Sequence, residues 1–326
     1  MYGDSGEFFI FTTDFIFQSP MEKFFLIANP VSGTGRAKKD WNKIEALLKA
    51  RRIDYEAVFT TRHQHERELA VNAVRNGFRK FISLGGDGTL NQILNGVFNQ
   101  QIVSPAEICL GVIPAGMGND WSKTFSIPPD YVPAVEIIKA QKLFLHDVGV
   151  IECVNNNSQV KHFFINIAGL GFDAFVVKNM TKARGENSGS RFSYYSGILK
   201  YLFNYKPVEM KLTAEENIIE EKLFSAVVAV CKFNGGGMMQ APFAVPDDGL
   251  FDVTVFSNIS RAQILADLLL LKSGAFVKKN YVKIFKTKKI SADASGNSFA
   301  EADGEYLGTT PARFSILPKA VNMIVK

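Results

Sequence analysis

Cysteine is scarce: three residues in 326, Cys109, Cys153 and Cys231, none in a CxxC pair. That excludes a disulfide framework and fits a reducing compartment. There are four histidines but no HExxH and no Cys/His cluster, which argues against a zinc site. Long apolar runs are missing too. The longest apolar helix candidate, "AQILADLLLL" (262–271), carries Asp267 and falls well short of the ~20 residues a bilayer span needs. The opening twenty residues are aromatic and acidic, without the basic start or small-residue cleavage site of a secretory signal. They are expected to form an extension outside the fold, because Met21 begins "MEKFFLIANP", a clean strand opening. The nucleotide motifs GxxxxGK[ST] and GxGxxG do not occur, which disfavours a Walker NTPase and an ordinary dinucleotide fold. Net charge is a mild +5, from 37 basic and 32 acidic residues. This is too little to argue for nucleic acid, and suits a negatively charged small molecule or membrane surface equally well.

What is present is a change of texture near residue 147. The chain is long enough for two domains, each with its own core. From Lys23 to about Lys139, short apolar runs alternate with amphipathic stretches. "FFLIA", "EAVFTT", "KFISL" and "CLGVIP" read as strands, while "WNKIEALLKA" and "LNQILNGVF" have helical spacing. This predicts a parallel sheet covered by helices over residues 21–146. From 147 to 326, "HFFINIAGLGF", "KLFSAVVAVCKF", "LFDVTVF", "YVKIF" and "RFSIL" predict a mostly antiparallel second domain, whose last strands are free to pack back on the first. A polar, glycine- and serine-rich loop is expected at 181–190.

Ligands of open parallel sheets bind beyond the carboxyl ends of the strands. Three glycine-bearing turns fall there: "NPVSGTGR", "GGDGT" and "PAGMGND". Any one of them is ordinary strand–helix geometry, but together they outline a phosphate site. Asp87, inside the second turn, would repel a phosphate unless a divalent cation stood between them. Mg²⁺ uses one or two carboxylates plus phosphate oxygens in this way. Asp120 and Asp147 are candidates for the same electrostatic network; an N-cap for Asp120 and a strand-entry turn for Asp147 are the competing readings.

The ordered set "NPVSGTGR", "GGDGTLNQILNG", "GVIPAGMGND", "FINIAGLGFDA", "APFAVPDDGLFDV" and "ADGEYLG" resembles the diacylglycerol kinase catalytic family, and within it the bacterial soluble lipid kinases related to sphingosine kinases. The resemblance runs from about Phe24 to the C-terminus. It implies an α/β nucleotide-binding domain, a β-sandwich-like second domain and an active site between them, as in NAD kinases. It further implies ATP held by Asn29, Pro30, Val31, Ser32, Gly33 and Thr61, by the segment Gly85, Gly86, Asp87, Gly88, Thr89, Leu90, Asn91 and Gln92, and by Met117 and Asn119. Glu305 falls on the proposed general base, Asp303 would support it, and Asp87 would act through Mg²⁺. Asp248, with backbone oxygens of Val245 and Leu250, matches a second metal position. From the residues alone, "ADGEYLG" reads as a hairpin and "VPDDGL" as a turn. Two departures stand out: Met117 replaces a threonine, and Gln92 stands where a glutamate is common.

The implied reaction is ATP-dependent phosphorylation of a lipid hydroxyl, diacylglycerol or a relative, by a cytoplasmic enzyme that meets its lipid at the membrane surface. No nucleic acid or protein partner is expected, and a homodimer is allowed. Two segments are candidates for lipid contact. "VKKNYVKIFKTKK" (277–289) reads either as a headgroup-facing surface or as an edge strand guarded by lysines, and "RFSYYSGILKYLF" (191–203) as an acyl cleft or as core. The rival functions are an NAD kinase-like phosphotransferase and a nucleotide- or lipid-binding regulator of weak catalysis.

Overall fold

A computed structural model describes residues 21–184, 199–215, 217–296 and 298–326. The expected extension at 1–20, residues 185–190 of the polar loop and residues 191–198 of the aromatic run lie outside the described residues.

The first domain is built on β1 (Met21–Ala28), β2 (Tyr55–Phe59), β3 (Phe78–Gly85) and β4 (Cys109–Pro114). They are parallel, in the spatial order β2-β1-β3-β4, with Ile27 level with Val58 and Ser83, and Leu84 level with Ile113. The continuous apolar runs of the central strands follow from burial on both faces. On one face, Ile44 and Leu48 of α2 (Trp41–Ala50) and Val135 and Ile138 of α6 (Tyr131–Ala140) pack with Leu26, Ile82 and Ile113. On the other, Ala70 and Val74 of α3 (His65–Arg75) and Ile93, Leu94 and Val97 of α4 (Asp87–Asn99) pack with Phe25, Ile27 and Phe81. Two short helical segments carry the other turns: α1 (Ser32–Lys39) includes the glycines of the first, and α5 (Asp120–Thr124) starts at the end of the third.

The second domain begins with β5 (Leu143–Asn155), β6 (Ser158–Phe164), β7 (Ile167–Gly171) and α7 (Phe172–Arg184). It continues through β8 (Val208–Ala214), β9 (Asn217–Ala229), β10 (Phe251–Ser257), α8 (Arg261–Asp267) and α9 (Leu270–Ser273). It ends with β11 (Val282–Thr287), β12 (Lys289–Ala294), β13 (Phe299–Ala302) and β14 (Glu305–Ile324). Its pairings within the domain are antiparallel, around a core that includes Phe164, Leu170, Leu223, Val228, Phe251 and Phe314.

Two features position the site. The 20-residue β14 pairs antiparallel with β5, then ends as a parallel neighbour of β4, Asn322 facing Cys109 and Met323 facing Leu110. One strand therefore joins the strands of both domains into a continuous sheet. The predicted hairpin at "ADGE" forms, with Asp303 at φ 47° and Gly304 at φ 80°, the pair of left-handed residues a two-residue turn requires. "HFFINIAGLGF", read as one β segment, is instead split between β6 and β7. The amides of Ile165, Asn166 and Ile167 turn inward to the Asp303 carboxylate rather than to a neighbouring strand.

The β5–β6 pair leaves no room at Gly149, which lies opposite Phe164; a Cβ there would sit 2.2 Å from the ring. Gly149→Ala is expected to cost roughly 1–3 kcal/mol through overpacking, read as a lower midpoint in urea unfolding followed by circular dichroism. An unchanged midpoint would mean that the Phe164 ring moves aside freely.

Candidate active site

The three glycine turns meet. A Cβ on Gly33 would lie 2.0 Å from the carbonyl oxygen of Ala115, and one on Gly116 2.4 Å from the Cα of Gly86. These approaches are closer than any side chain allows, so the loops touch backbone to backbone. Around Gly33 the chain is left-handed at three successive residues, with φ 58° at Gly33, 62° at Thr34 and 86° at Gly35. Asn29 braces this turn: its Nδ2 donates to Glu66 at 3.0 Å, and its Oδ1 accepts from the Val31 amide at 3.2 Å. In the third turn Asn119 closes a ring with Gly116, accepting from its amide at 3.0 Å and donating to its carbonyl at 3.1 Å.

Asp87 opens α4, and no side chain caps that helix. Its Oδ1 accepts from the amide of Trp121 at 3.0 Å, so it serves the N-terminus of α5. Asp120 accepts from the Lys123 ammonium at 2.7 Å and from the Gly236 amide at 2.7 Å. The two carboxylates converge: a Cβ on Gly118 would sit 3.0 Å from Asp87 Oδ2 and 3.2 Å from Asp120 Oδ2. Burial first, and the Asp120 charge second, push the Asp87 carboxyl up to about 6. Two acids aimed at one point, Asp120 buried and Asp87 half-buried, fit a hard cation shared with phosphate oxygens. Among the described residues no three His, Cys, Asp or Glu side chains cluster to hold a metal by themselves, so phosphate would have to complete the coordination.

Asp303 is buried and fully used: it accepts from the amides of Ile165, Asn166 and Ile167 and from Asn91 Nδ2, at 2.8 to 3.1 Å. Two residues on, Glu305 accepts a hydrogen bond from the side-chain amide of Gln92, whose Oε1 in turn accepts from Arg67 Nε at 3.0 Å. Burial raises the Glu305 carboxyl above its ordinary value, while Arg67 and Gln92 pull it back down.

Several expected site residues stand elsewhere. The side chains of Leu90 and Asn91 lie on the inward face of α4, Leu90 in the core and Asn91 on Asp303, so neither faces the glycine turns. Thr61 is exposed beyond β2, its amide 3.2 Å from His65 Nδ1. Val31 projects outward, 78% exposed. Asp147 does not join Asp87: its two oxygens accept from the amides of Gly249 and Lys319, each at 2.7 Å, and its acidic neighbours are Asp248 and Asp247. It ties the "VPDDG" turn to β14. Asp248, the expected side-chain ligand of a second metal, accepts from the Lys286 ammonium at 2.6 Å.

Sequence reasoning passed over a fourth glycine turn, from the second domain. Gly235, Gly236 and Gly237 are left-handed at φ 61°, 86° and 108°, and carry the Gly236 amide to Asp120 across the cleft. The run of three glycines was the available signal. From this turn a polar chain leads inward. Asn234 Nδ2 donates to Gln240 Oε1 at 3.2 Å, Gln240 Nε2 donates to Asp173 Oδ1 at 3.1 Å, and Ser225 donates to the other Asp173 oxygen. Asp173 stands at the wall of a pocket whose lining is mostly apolar, with Phe172, Val176, Phe256, Ile264, Leu271 and Phe276, and which also takes in Ser225 and Asp267.

A parallel α/β domain with phosphate-type turns, facing an antiparallel β domain across an acidic cleft, defines a two-domain kinase of the NAD kinase and diacylglycerol kinase type. Residues 23–151 match the diacylglycerol kinase catalytic domain, and residues 166–325 the YegS C-terminal NAD kinase beta sandwich-like domain. The chain belongs to the diacylglycerol kinase catalytic family, and so to the lipid kinase class of enzymes. It is 29% identical over 313 residues to YtlR of Bacillus subtilis, covering 93% of this chain and 99% of that one. It is 28% identical over 305 residues to a diacylglycerol kinase of Mycobacterium tuberculosis, covering 93% and 94%. The crystal structure of a diacylglycerol kinase from Bacillus anthracis shares the fold, with a TM-score of 0.69 at 21% identity over 95% of this chain and 98% of that one.

Removing the Asp303 carboxylate would leave three buried amides without an acceptor. Asp303→Ala is expected to melt several degrees below the wild type in differential scanning fluorimetry, with Asp303→Asn between the two. Equal melting temperatures would show that the turn at 165–167 finds other acceptors.

Proposed function

We propose that this chain transfers the γ-phosphoryl group of ATP to the hydroxyl of diacylglycerol or a close relative, with Mg²⁺ at Asp87 and Asp120 and Glu305 as general base. The observation that carries the reading is the polar chain Asp120–Gly236–Asn234–Gln240–Asp173, which joins the acidic cleft to an apolar cavity. A substrate with a hydroxyl at one end and acyl chains at the other matches that sequence of environments.

The glycine turns offer backbone amides to phosphates, and the uncapped start of α4 adds its own. Mg²⁺, when bound, would supply the counter-charge for the phosphate oxygens and for the two carboxylates. Glu305 would accept the hydroxyl proton as the oxygen–phosphorus bond forms and ADP departs. Gln92 holds Glu305 in one orientation and favours its charged form, and Arg67 holds Gln92. The reading thus gives a role to the departure at position 92, since a glutamate there would set a second negative charge against the base.

With labelled ATP, Mg²⁺ and lipids in mixed micelles, label is expected in diacylglycerol or a relative, and Glu305→Gln should lower transfer by roughly 10²-fold or more at unchanged fold stability. Label in NAD and in no lipid would move the chain to the NAD kinase reading; nucleotide binding without transfer would make it a regulator. Full activity in Glu305→Gln would remove the assigned base.

The acid side of the rate profile carries a second test. Glu305 must be deprotonated to act, so the rate falls as pH drops through its raised pKa. Gln92→Leu deletes the N–H that favours the carboxylate, so this limb should move to higher pH. A limb that stays in place would assign it to another group.

A further inference from the structure

The cavity wall raises a separate question. Ile264 of α8, Leu268 in the turn that follows and Leu271 of α9 line the cavity, yet apolar side chains also face outward: Leu265 is 40% exposed and Leu269, in the same turn, 72%. Neither helix contains a buried residue. The segment is a thin cover with water on its outer side, and exposed leucines on such a cover, among charged neighbours, suit a lipid interface. Exposed Phe203 lies two residues from Tyr205, whose carbonyl accepts from Arg261 at the start of α8, which brings a further apolar side chain near.

The segment around them is predominantly basic. Residues 261–289 hold eight cations against the single carboxylate of Asp267, in a chain whose total is only +5. Lys279, Lys283 and Lys286 are engaged by Asp267, Glu221 and Asp248. Arg261, Lys272, Lys278, Lys288 and Lys289 are exposed around them. Apolar side chains ringed by lysines and arginine complement an anionic bilayer surface, where the leucines enter the acyl boundary and the cations meet headgroups.

We propose that α8 and α9 form the membrane-docking element, with Leu265 and Leu269 inserted into an anionic bilayer, and that the same helices are the wall past which the lipid enters the cavity. This deepens the lipid-kinase reading and rests on it for what enters; the docking itself needs neither ATP nor turnover. β11, the basic segment first singled out, is an edge strand paired to β10, and contributes charge beside the element rather than the insertion.

The full chain is floated with vesicles of phosphatidylglycerol and phosphatidylcholine, and compared with Leu265→Gln/Leu269→Gln. Both positions are outside the cavity lining, so transfer to dispersed short-chain diacylglycerol should be unchanged. Vesicle affinity is expected to fall about tenfold or more. In a Leu269→Trp variant, indole emission should shift to the blue when anionic vesicles are added. Wild type that ignores such vesicles, a double variant that binds them as wild type does, or an indole emission that stays put in Leu269→Trp would each overturn the proposal. A double variant that changes from dimer to monomer in sedimentation while still binding vesicles would place a second copy on this face and overturn it too. Wild type that labels no lipid but loses vesicle binding on substitution would count against the kinase reading and support the docking element.

Discussion

The buried carboxylate of Asp303 is the contact on which the arrangement of the cleft depends. It gathers three successive amides between β6 and β7 and the side chain of Asn91 from α4, so the two domains share one acceptor. Burial holds its carboxyl above the ordinary range, and the four donors work against that. Because the carboxylate lies in the hairpin between β13 and β14, fixing it also fixes Glu305, two residues on, against Gln92 of the same α4. The other end of β14 pairs with β4, so the hairpin is held from both domains.

Charge is concentrated where that junction opens. Asp87 and Asp120 stand at the starts of α4 and α5 and are aimed at the space above Gly118. Each has partners in the protein: backbone amides for Asp87, Lys123 and the Gly236 amide for Asp120. Those partners keep the acids in place, but their like charges still oppose each other in a partly buried setting, which is the electrostatic opening for a cation. Glycine makes the approach possible. Any side chain at Gly33 or Gly116 would push the turns apart and widen the space between the acids and the amides.

The second domain adds a gradient of polarity. From the cleft, Asn234, Gln240 and Asp173 lead by hydrogen bonds into a cavity whose remaining walls are largely aromatic and aliphatic. Asp173 is itself half-buried, with its carboxyl raised by desolvation, and it is satisfied by Ser225 and Gln240. A small, wholly polar ligand gains little from such walls. An amphiphile with its polar end at Asp173 gains from both halves.

The parallel strands, the helices between them, the three glycine turns and the "ADGE" hairpin were legible in the chain because each is a local property: apolar spacing, and residues that tolerate left-handed backbone. Position 92 was legible as a departure, but its meaning was not, since Gln92 and Glu305 are neighbours only once β14 is in place. Asp147 looked like a cleft acid and became the anchor of a distant turn, because two amides, from Gly249 and Lys319, reach it first. The cavity could not be read at all. Its walls come from α7, β9, α8 and the turns beyond, and no sequence period marks a surface assembled from segments so far apart. The sequence by itself determined the phosphate-type turns and the two-domain plan, through short-range sterics. Tertiary structure alone decided which acids converge, which carboxylate meets an amide donor, and which leucines are left facing water, because each depends on long-range pairing that buries some groups and leaves others exposed.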